Sequence, residues 1–352
     1  MADDSQKSKY LWLDCDPGHD DAIAILMALY TPGIELLGIS TVHGNNTSAN
    51  TFANAIKLLY AYGASDKIRV YPGASQPLIR PARADPEIHG PDGLGGVVGL
   101  PGLSHPAVAS LHTQSQSLRA VQGLEATVKS CIERNIKLHI IASGPLTNIA
   151  LFSALHPELV SGIEQIIFMG GGVGVGNRSA VAEFNILCDP EAAQMVLNLE
   201  VPKVMIPLNV THTAILTREL HDNGLVKSSA TTSDTPTALR VMLSSLVRFF
   251  AETYRTTFGF TNGPPIHDAC CVAYLHNPEW FKVKRYRVDI ELAGTHSAGE
   301  TVVDVWGYLP TENSWGRAGK NCIITESMDV PSFFNLFFEC VSRCDQVSPL
   351  NS

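Results

Sequence analysis

The sequence predicts an α/β fold: one domain built on a mostly parallel, open sheet with helices on both faces. Two observations predict it. Short β-rich apolar runs alternate along the chain with longer runs of helical pattern. Polar clusters recur just after the short runs, and parallel sheets bind ligands there, beyond the carboxyl ends of their strands.

Taken in order, Tyr10-Leu-Trp-Leu-Asp14-Cys15 reads as the first strand (10–15), and the apolar stretch over 20–31 as the helix after it. A strand at 36–42 and a helix at 48–62 repeat the unit, followed by a strand at 68–71. Residues 72–113 break the rhythm. They carry many Gly and Pro, as in His89-Gly-Pro-Asp-Gly-Leu-Gly-Gly96, and predict a lid or binding loop. Alternation resumes with a helix at 115–134, a strand at 137–142, a helix at 146–154, a strand at 164–169, a helix at 189–199 and a strand at 203–207. Residues 222–236 are rich in Ser and Thr and lead into a helix at 236–257, with another at 267–276. A segment from about 283 to 345 finishes the sheet and packs a last helix at 331–341. No repeat or linker divides the chain, so a single domain over 1–352 is expected, with its core at about 10–345.

Composition narrows the function. The chain is 45% hydrophobic and 17% charged, as in an ordinary globular protein. A net charge of −9 argues against nucleic acid or acidic membranes as partners, and favours a neutral small molecule over a polyanion. The apolar stretches are too short to span a bilayer, and the first residues lack the basic and apolar regions of a signal peptide. Eight cysteines form no CxxC pair, which predicts reduced, buried thiols and a cytoplasmic location.

The most informative stretch is Asp14-Cys-Asp16-Pro-Gly-His-Asp20-Asp21. Four carboxylates fall within eight residues where the first strand gives way to a helix. Like charges this close repel, and no Lys or Arg is interleaved to offset them. A hard metal ion held by oxygen ligands resolves the repulsion. The positive end of the following helix would account for Asp20 and Asp21, but not for four acids.

Further strand ends supply Val42-His-Gly-Asn45-Asn46, Ala142-Ser143-Gly-Pro-Leu-Thr-Asn148, Phe168-Met169-Gly-Gly-Gly172 and Pro207-Leu-Asn-Val-Thr-His212. Asn177 and the run Ala182-Glu183-Phe184-Asn185 follow the third of these, and His267-Asp268 opens a later helix. Glu183 and Asn185 are expected on one side of an extended segment. No GxSxG elbow surrounds Ser143, and Cys15 between two acids reads as structural, so a Ser or Cys nucleophile is not indicated.

Together these motifs resemble the nucleoside hydrolases of the inosine–uridine preferring family. The likeness runs in family order from about residue 10 to 320, through the Asp14–Asp21 cluster, Asn45, His89-Gly-x-x-Gly-Leu, Ser143-Gly-Pro-Leu-Thr-Asn, Met169-Gly-Gly-Gly, Asn177, Ala182-Glu-Phe-Asn185, Asp189-Pro-Glu-Ala-Ala and His267-Asp268. It implies a Rossmann-like core and a calcium-dependent enzyme that splits ribonucleosides into base and ribose. Asp16, Asp21, the Ser143 carbonyl and Asp268 would hold the Ca2+, with Asp14 in support. Asp20, Asn45, Asn177, Glu183 and Asn185 would grip the sugar, Met169 would line its pocket, and His89 and His267 would lie toward the base. A homodimer or homotetramer is implied. Ser143 stands where many members have Thr or Val; since the carbonyl alone is implicated, this departure should matter little.

The chemistry suits these residue types. N-glycosidic cleavage passes through an oxocarbenium-like transition state that an anionic pocket stabilises. Asp16 would act as general base toward the attacking water, and His267 as proton donor to the leaving base. Two other readings compete: a haloacid dehalogenase-type phosphatase, which also starts from an Asp-x-Asp but needs Thr or Val where Gly18 stands, and a non-catalytic nucleoside or sugar binder on the same fold.

Overall fold

Along the first strand, β1 (Lys9–Cys15), Leu11, Leu13 and Cys15 enter one hydrophobic core while Trp12 enters another. The period of two along a strand sends alternate side chains to opposite faces, so a fully buried sheet needs two cores. The computed structural model describes residues 8–227, 235–308 and 312–352. Its further strands are β2 (Ile34–Thr41), β3 (Val70–Pro72), β4 (Leu138–Ala142), β5 (Ile163–Met169), β6 (Lys203–Ile206), β7 (Phe281–Tyr286), β8 (Val288–Ile290), β9 (Thr301–Val303) and β10 (Cys322–Met328).

Eight strands form one sheet in the order β3-β2-β1-β4-β5-β6-β10-β7. Every pairing is parallel except that of β7, which lies antiparallel on β10 at the edge. β8 and β9 make a separate two-stranded sheet. Helices His19–Tyr30, Ser48–Ala61, Ala238–Phe258, Ala269–His276 and Val330–Asp345 cover the Leu11 side. Helices Ala120–Glu133, Thr147–Leu155 and Pro190–Leu197 cover the Trp12 side. The chain leaves β1 toward β2 and later returns to its other flank as β4. That reversal opens a crevice at the carboxyl ends of β1 and β4, where such sheets bind ligands.

The expected α/β architecture and all six expected strands are present, with ends displaced by a residue or two. Three details differ. The helix expected at 115–134 spans Ala120–Glu133, starting five residues later, where the Gln122 side chain accepts from the Arg119 backbone N–H and sets the N-terminus. The long loop holds two helices of its own, Pro86–His89 and Pro106–Ser115, each begun by a proline, whose missing N–H costs nothing at a first turn. Glu183 and Asn185 are not on an extended segment. Glu183 caps the short helix Phe184–Cys188, accepting from the backbone N–H of Asn185 and Ile186. Part of the Ser/Thr-rich 222–236 stretch, residues 228–234, lies outside the described residues. All eight cysteines are buried and free, and among the described residues no helix is long and apolar enough to cross a membrane.

Candidate active site

Asp14 lies near the end of β1 and Asp16 just beyond it, both with no exposed surface. Asp14 Oδ1 accepts from Ser40 Oγ at 2.5 Å and from Asn148 Nδ2 at 2.7 Å. Ser40 in turn accepts from the Trp12 indole N–H at 2.8 Å. Asp16 Oδ2 accepts from the Asn45 backbone N–H at 2.7 Å. Two glycines make room for it: a Cβ on Gly44 would lie 2.0 Å from Asp16 Oδ2, and one on Gly144 2.6 Å from Oδ1.

The helix after β1 adds Asp20 and Asp21 from its first turn. Asp21 Oδ2 accepts from the Gly18 backbone N–H and from Asn45 Nδ2, each at 3.0 Å, while Oδ1 accepts from Ser143 Oγ at 2.8 Å. Asp268, at the start of Ala269–His276, comes from far downstream to meet them; carboxylate oxygens of Asp20, Asp21 and Asp268 lie within 4.8 Å of one another.

Five carboxyls thus sit buried together, and burial, reinforced by their mutual repulsion, raises them all. Asp14 and Asp20 are pushed up to about 7, Asp21 is raised, and Asp16 and Asp268 stand well above the ordinary range. Asp14 Oδ2, Asp16 Oδ1 and Asp20 Oδ1 are buried without a hydrogen-bond partner. A buried carboxylate oxygen left bare is costly. Hard oxygen donors, several anionic and three with a bare oxygen, are what a divalent cation of the calcium type requires, so the residues present fit a metal.

The remaining walls come from the other strand ends. The Asn185 amide donates to the carbonyls of Ser143 at 2.7 Å and Met169 at 3.2 Å. Asn177 Oδ1 accepts from the Phe184 backbone N–H at 2.9 Å, and Glu183 Oε2 from that of Gly171 at 3.0 Å. Burial pushes Glu183 up to about 7. One cavity is lined by Asp20, Asn45, His89, Ser143, Met169, Asn177, Glu183, Asn185, His267 and Asp268, together with Asp85, Ile88, Arg178, Phe184, Phe250, Tyr254 and Phe258. Asp16 and Asp21 lie just beneath it, bonded to Asn45 and Ser143.

The far end of the cavity is aromatic. His267 Nε2 hydrogen-bonds with the Tyr254 hydroxyl at 2.7 Å, and its Nδ1 with Thr211 Oγ1 at 2.8 Å. Burial, with His212 beside it, holds this imidazole well below its usual range, which favours its neutral form. His89 lies 3.3 Å from His19, ring nitrogen to ring nitrogen, and burial lowers it likewise.

Sequence reasoning missed Tyr254 as the partner of His267, the supports Ser40, Asn148 and Thr211, and Arg178 with Asp85. Asn148 and Thr211 stood inside motifs already singled out. Ser40, Arg178 and Asp85 carried no local signal, because their meaning lies in partners distant along the chain.

An anionic, oxygen-lined end beside an aromatic end fits a ligand with a polyhydroxyl part joined to a planar ring. Residues 11–335 match the family model of inosine-uridine preferring nucleoside hydrolases, and the chain belongs to this family. It is a ribonucleoside hydrolase, an N-ribohydrolase. It is 42% identical over 296 residues to the pyrimidine-specific ribonucleoside hydrolase RihA of Shewanella woodyi, covering 84% of this chain and 88% of that one. It is 34% identical to a probable ribonucleoside hydrolase of Dictyostelium discoideum, covering 95% and 94%. Among solved structures, the purine-preferring ribonucleoside hydrolase from Gardnerella vaginalis superposes with a TM-score of 0.81 at 27% identity, covering 96% of this chain and all of the other. Neither the phosphatase nor the non-catalytic reading finds support in these likenesses.

Proposed function

We propose that the enzyme cleaves ribonucleosides with a Ca2+ ion held by Asp16, Asp21, Asp268 and the Ser143 carbonyl, and with Asp16 as general base. The observation that carries this reading is the meeting of Asp21 and Asp268 oxygens, with Asp20, within 4.8 Å of one another, together with the bare buried Oδ1 of Asp16 next to the cavity. When bound, a calcium ion would supply Lewis acidity and a template for oxygen ligands.

The chain's own residues do the rest. Asp16 Oδ1, with Oδ2 fixed by the Asn45 N–H, takes the proton from the water that attacks C1′. Asp14 and Asp20 favour the positive charge that grows on the sugar. Asp20, Asn45, Asn177, Glu183 and Asn185 orient the ribose hydroxyls, and Met169 packs on the ring. Asn45 and Asn185 both have their amide groups engaged by the protein, so their carbonyl oxygens are the parts offered to the sugar.

At the base end, both His267 nitrogens already have partners, and burial favours the neutral ring. We therefore assign proton delivery to the Tyr254 hydroxyl. With the imidazole proton on Nε2, Thr211 donates to Nδ1, and His267 donates a hydrogen bond to the Tyr254 oxygen, which stabilises the phenolate left as that hydroxyl gives its proton to the leaving base. His267 is then a positioning residue, and His89 helps wall the base. Such an acid suits purines, protonated at a ring nitrogen, while the names of curated relatives point to pyrimidines. Both classes are expected as substrates. Chromatography of free bases released from a panel of nucleosides, with and without calcium, tests this; no base released from any of them would refute it.

A further inference from the structure

Two segments contribute to the cavity lining, one following β5 with Asn177 and Arg178 and one inside the long loop between β3 and β4 with Asp85, Ile88 and His89. Arg178 joins them. Its Nε donates to Asp85 Oδ2 at 2.9 Å, its Nη2 donates to the same oxygen, and its Nη1 to Glu87 Oε2 at 3.3 Å. The guanidinium also lies over the Phe258 ring, 5.3 Å from its centroid. This is not a solvated surface pair: the side chains of Arg178 and Asp85 are only 19% and 12% exposed. Asp85 has a second tie, its backbone N–H donating to the Asn45 carbonyl at 3.1 Å.

The placement gives the pair leverage. Asp85 immediately precedes Pro86–His89, the short helix that sets Ile88 and His89 into the cavity wall. Ile88 packs there on Phe250 and Tyr254. Arg178 follows Asn177, which reaches the start of the Phe184–Cys188 helix and so the Glu183–Asn185 wall. A four-residue helix in a long connection has little intrinsic stability, so tertiary ties decide where it sits. Delocalised and planar, a guanidinium can hold carboxylates and stack on a ring at once, which a lysine cannot do.

We infer that Arg178 is a positioning residue for the hydrolysis: by latching Asp85 it holds the His89-bearing segment over the cavity and sets the affinity for the nucleoside. The inference rests on the proposed base end of the site. It acts on binding rather than on bond cleavage, because Arg178 adjoins neither the carboxylate cluster nor the Tyr254–His267 pair by any hydrogen bond among the described residues.

The test uses the full-length enzyme and three variants, Arg178→Gln, Asp85→Asn and the double substitution. Each single variant should raise KM for uridine or inosine about tenfold while kcat falls by less than about threefold. The double variant should be no worse than either single one, because the two residues act as one unit. A second readout needs no turnover. Arg83 is exposed and lies two residues before Asp85, so tryptic cleavage after Arg83 should be faster in Arg178→Gln than in wild type. Unchanged KM and unchanged cleavage in a folded variant would overturn the inference, as would additive losses in the double variant. If wild type released no base at all, the functional reading would fail instead, and the cleavage assay would still judge the latch.

Discussion

The Tyr254 hydroxyl lies 2.7 Å from His267 Nε2, and the other ring nitrogen of His267 is held 2.8 Å from Thr211 Oγ1. With both nitrogens of this buried imidazole engaged, His267 is proposed to act through the Tyr254 hydroxyl. Tyr254→Phe should therefore lower kcat on inosine by about 10²-fold or more, the usual loss for a general acid. His267→Ala should do the same. Neither should slow p-nitrophenyl riboside much, since its leaving group departs without a proton. Equal losses on both substrates would remove Tyr254 from proton delivery.

Ser143 offers more than its carbonyl. Its hydroxyl donates to Asp21 Oδ1 at 2.8 Å, so the sequence-based expectation that a change here should matter little needs amending. Groups that orient a metal's ligands are commonly worth tenfold or more in metal affinity. Ser143→Ala should weaken calcium binding by about tenfold in a calorimetric titration, with most activity restored at high calcium. Unaltered affinity would show the hydroxyl to be idle.

Gly44 has φ +153° and no room for a side chain beside Asp16. Gly44→Ala combines a backbone cost of about 1–3 kcal/mol with a clash on the Asp16 carboxylate. Both stability and turnover should drop, the first read by urea denaturation. A variant as stable and as active as wild type would contradict the packing described.

Acidity and stability are linked at this site. Burial raises Asp14 and Asp20 from 3.8 to about 7, and Glu183 from 4.5 to about 7. Between those limits the folded, metal-free chain binds more protons than the unfolded chain, so stability falls as pH rises. With chelator present, the thermal midpoint should drop from about pH 4 to about pH 7 and then level off with respect to these groups. Calcium, which binds the ionised carboxylates, should flatten the fall. A midpoint that climbs over this window in chelator would contradict the assignment.

The sheet was legible because buried parallel strands and their helices have different periods, and the short apolar runs marked β1, β2, β4, β5 and β6 within a residue or two. The acid cluster was legible because Asp14, Asp16, Asp20 and Asp21 are local in sequence and mutually repulsive. The helix Pro106–Ser115 was not, since it falls within a Gly- and Pro-rich stretch that reads as loop. Nor was the turn at Glu183, where a side-chain cap replaces an extended run. Tyr254 with His267 and Arg178 with Asp85 become pairs only when the fold brings distant segments together.

The central claim is that Asp16 activates water in a cage that needs a cation. The most direct measurement is steady-state turnover of inosine and uridine by wild type and Asp16→Asn, each treated with chelator and then titrated with calcium, with substrate binding followed separately. Wild type should lose activity in chelator and regain it with calcium. Asp16→Asn should bind nucleoside yet turn over roughly 10³-fold more slowly at every calcium level. Normal turnover by Asp16→Asn, or a wild type indifferent to chelation, would contradict the account.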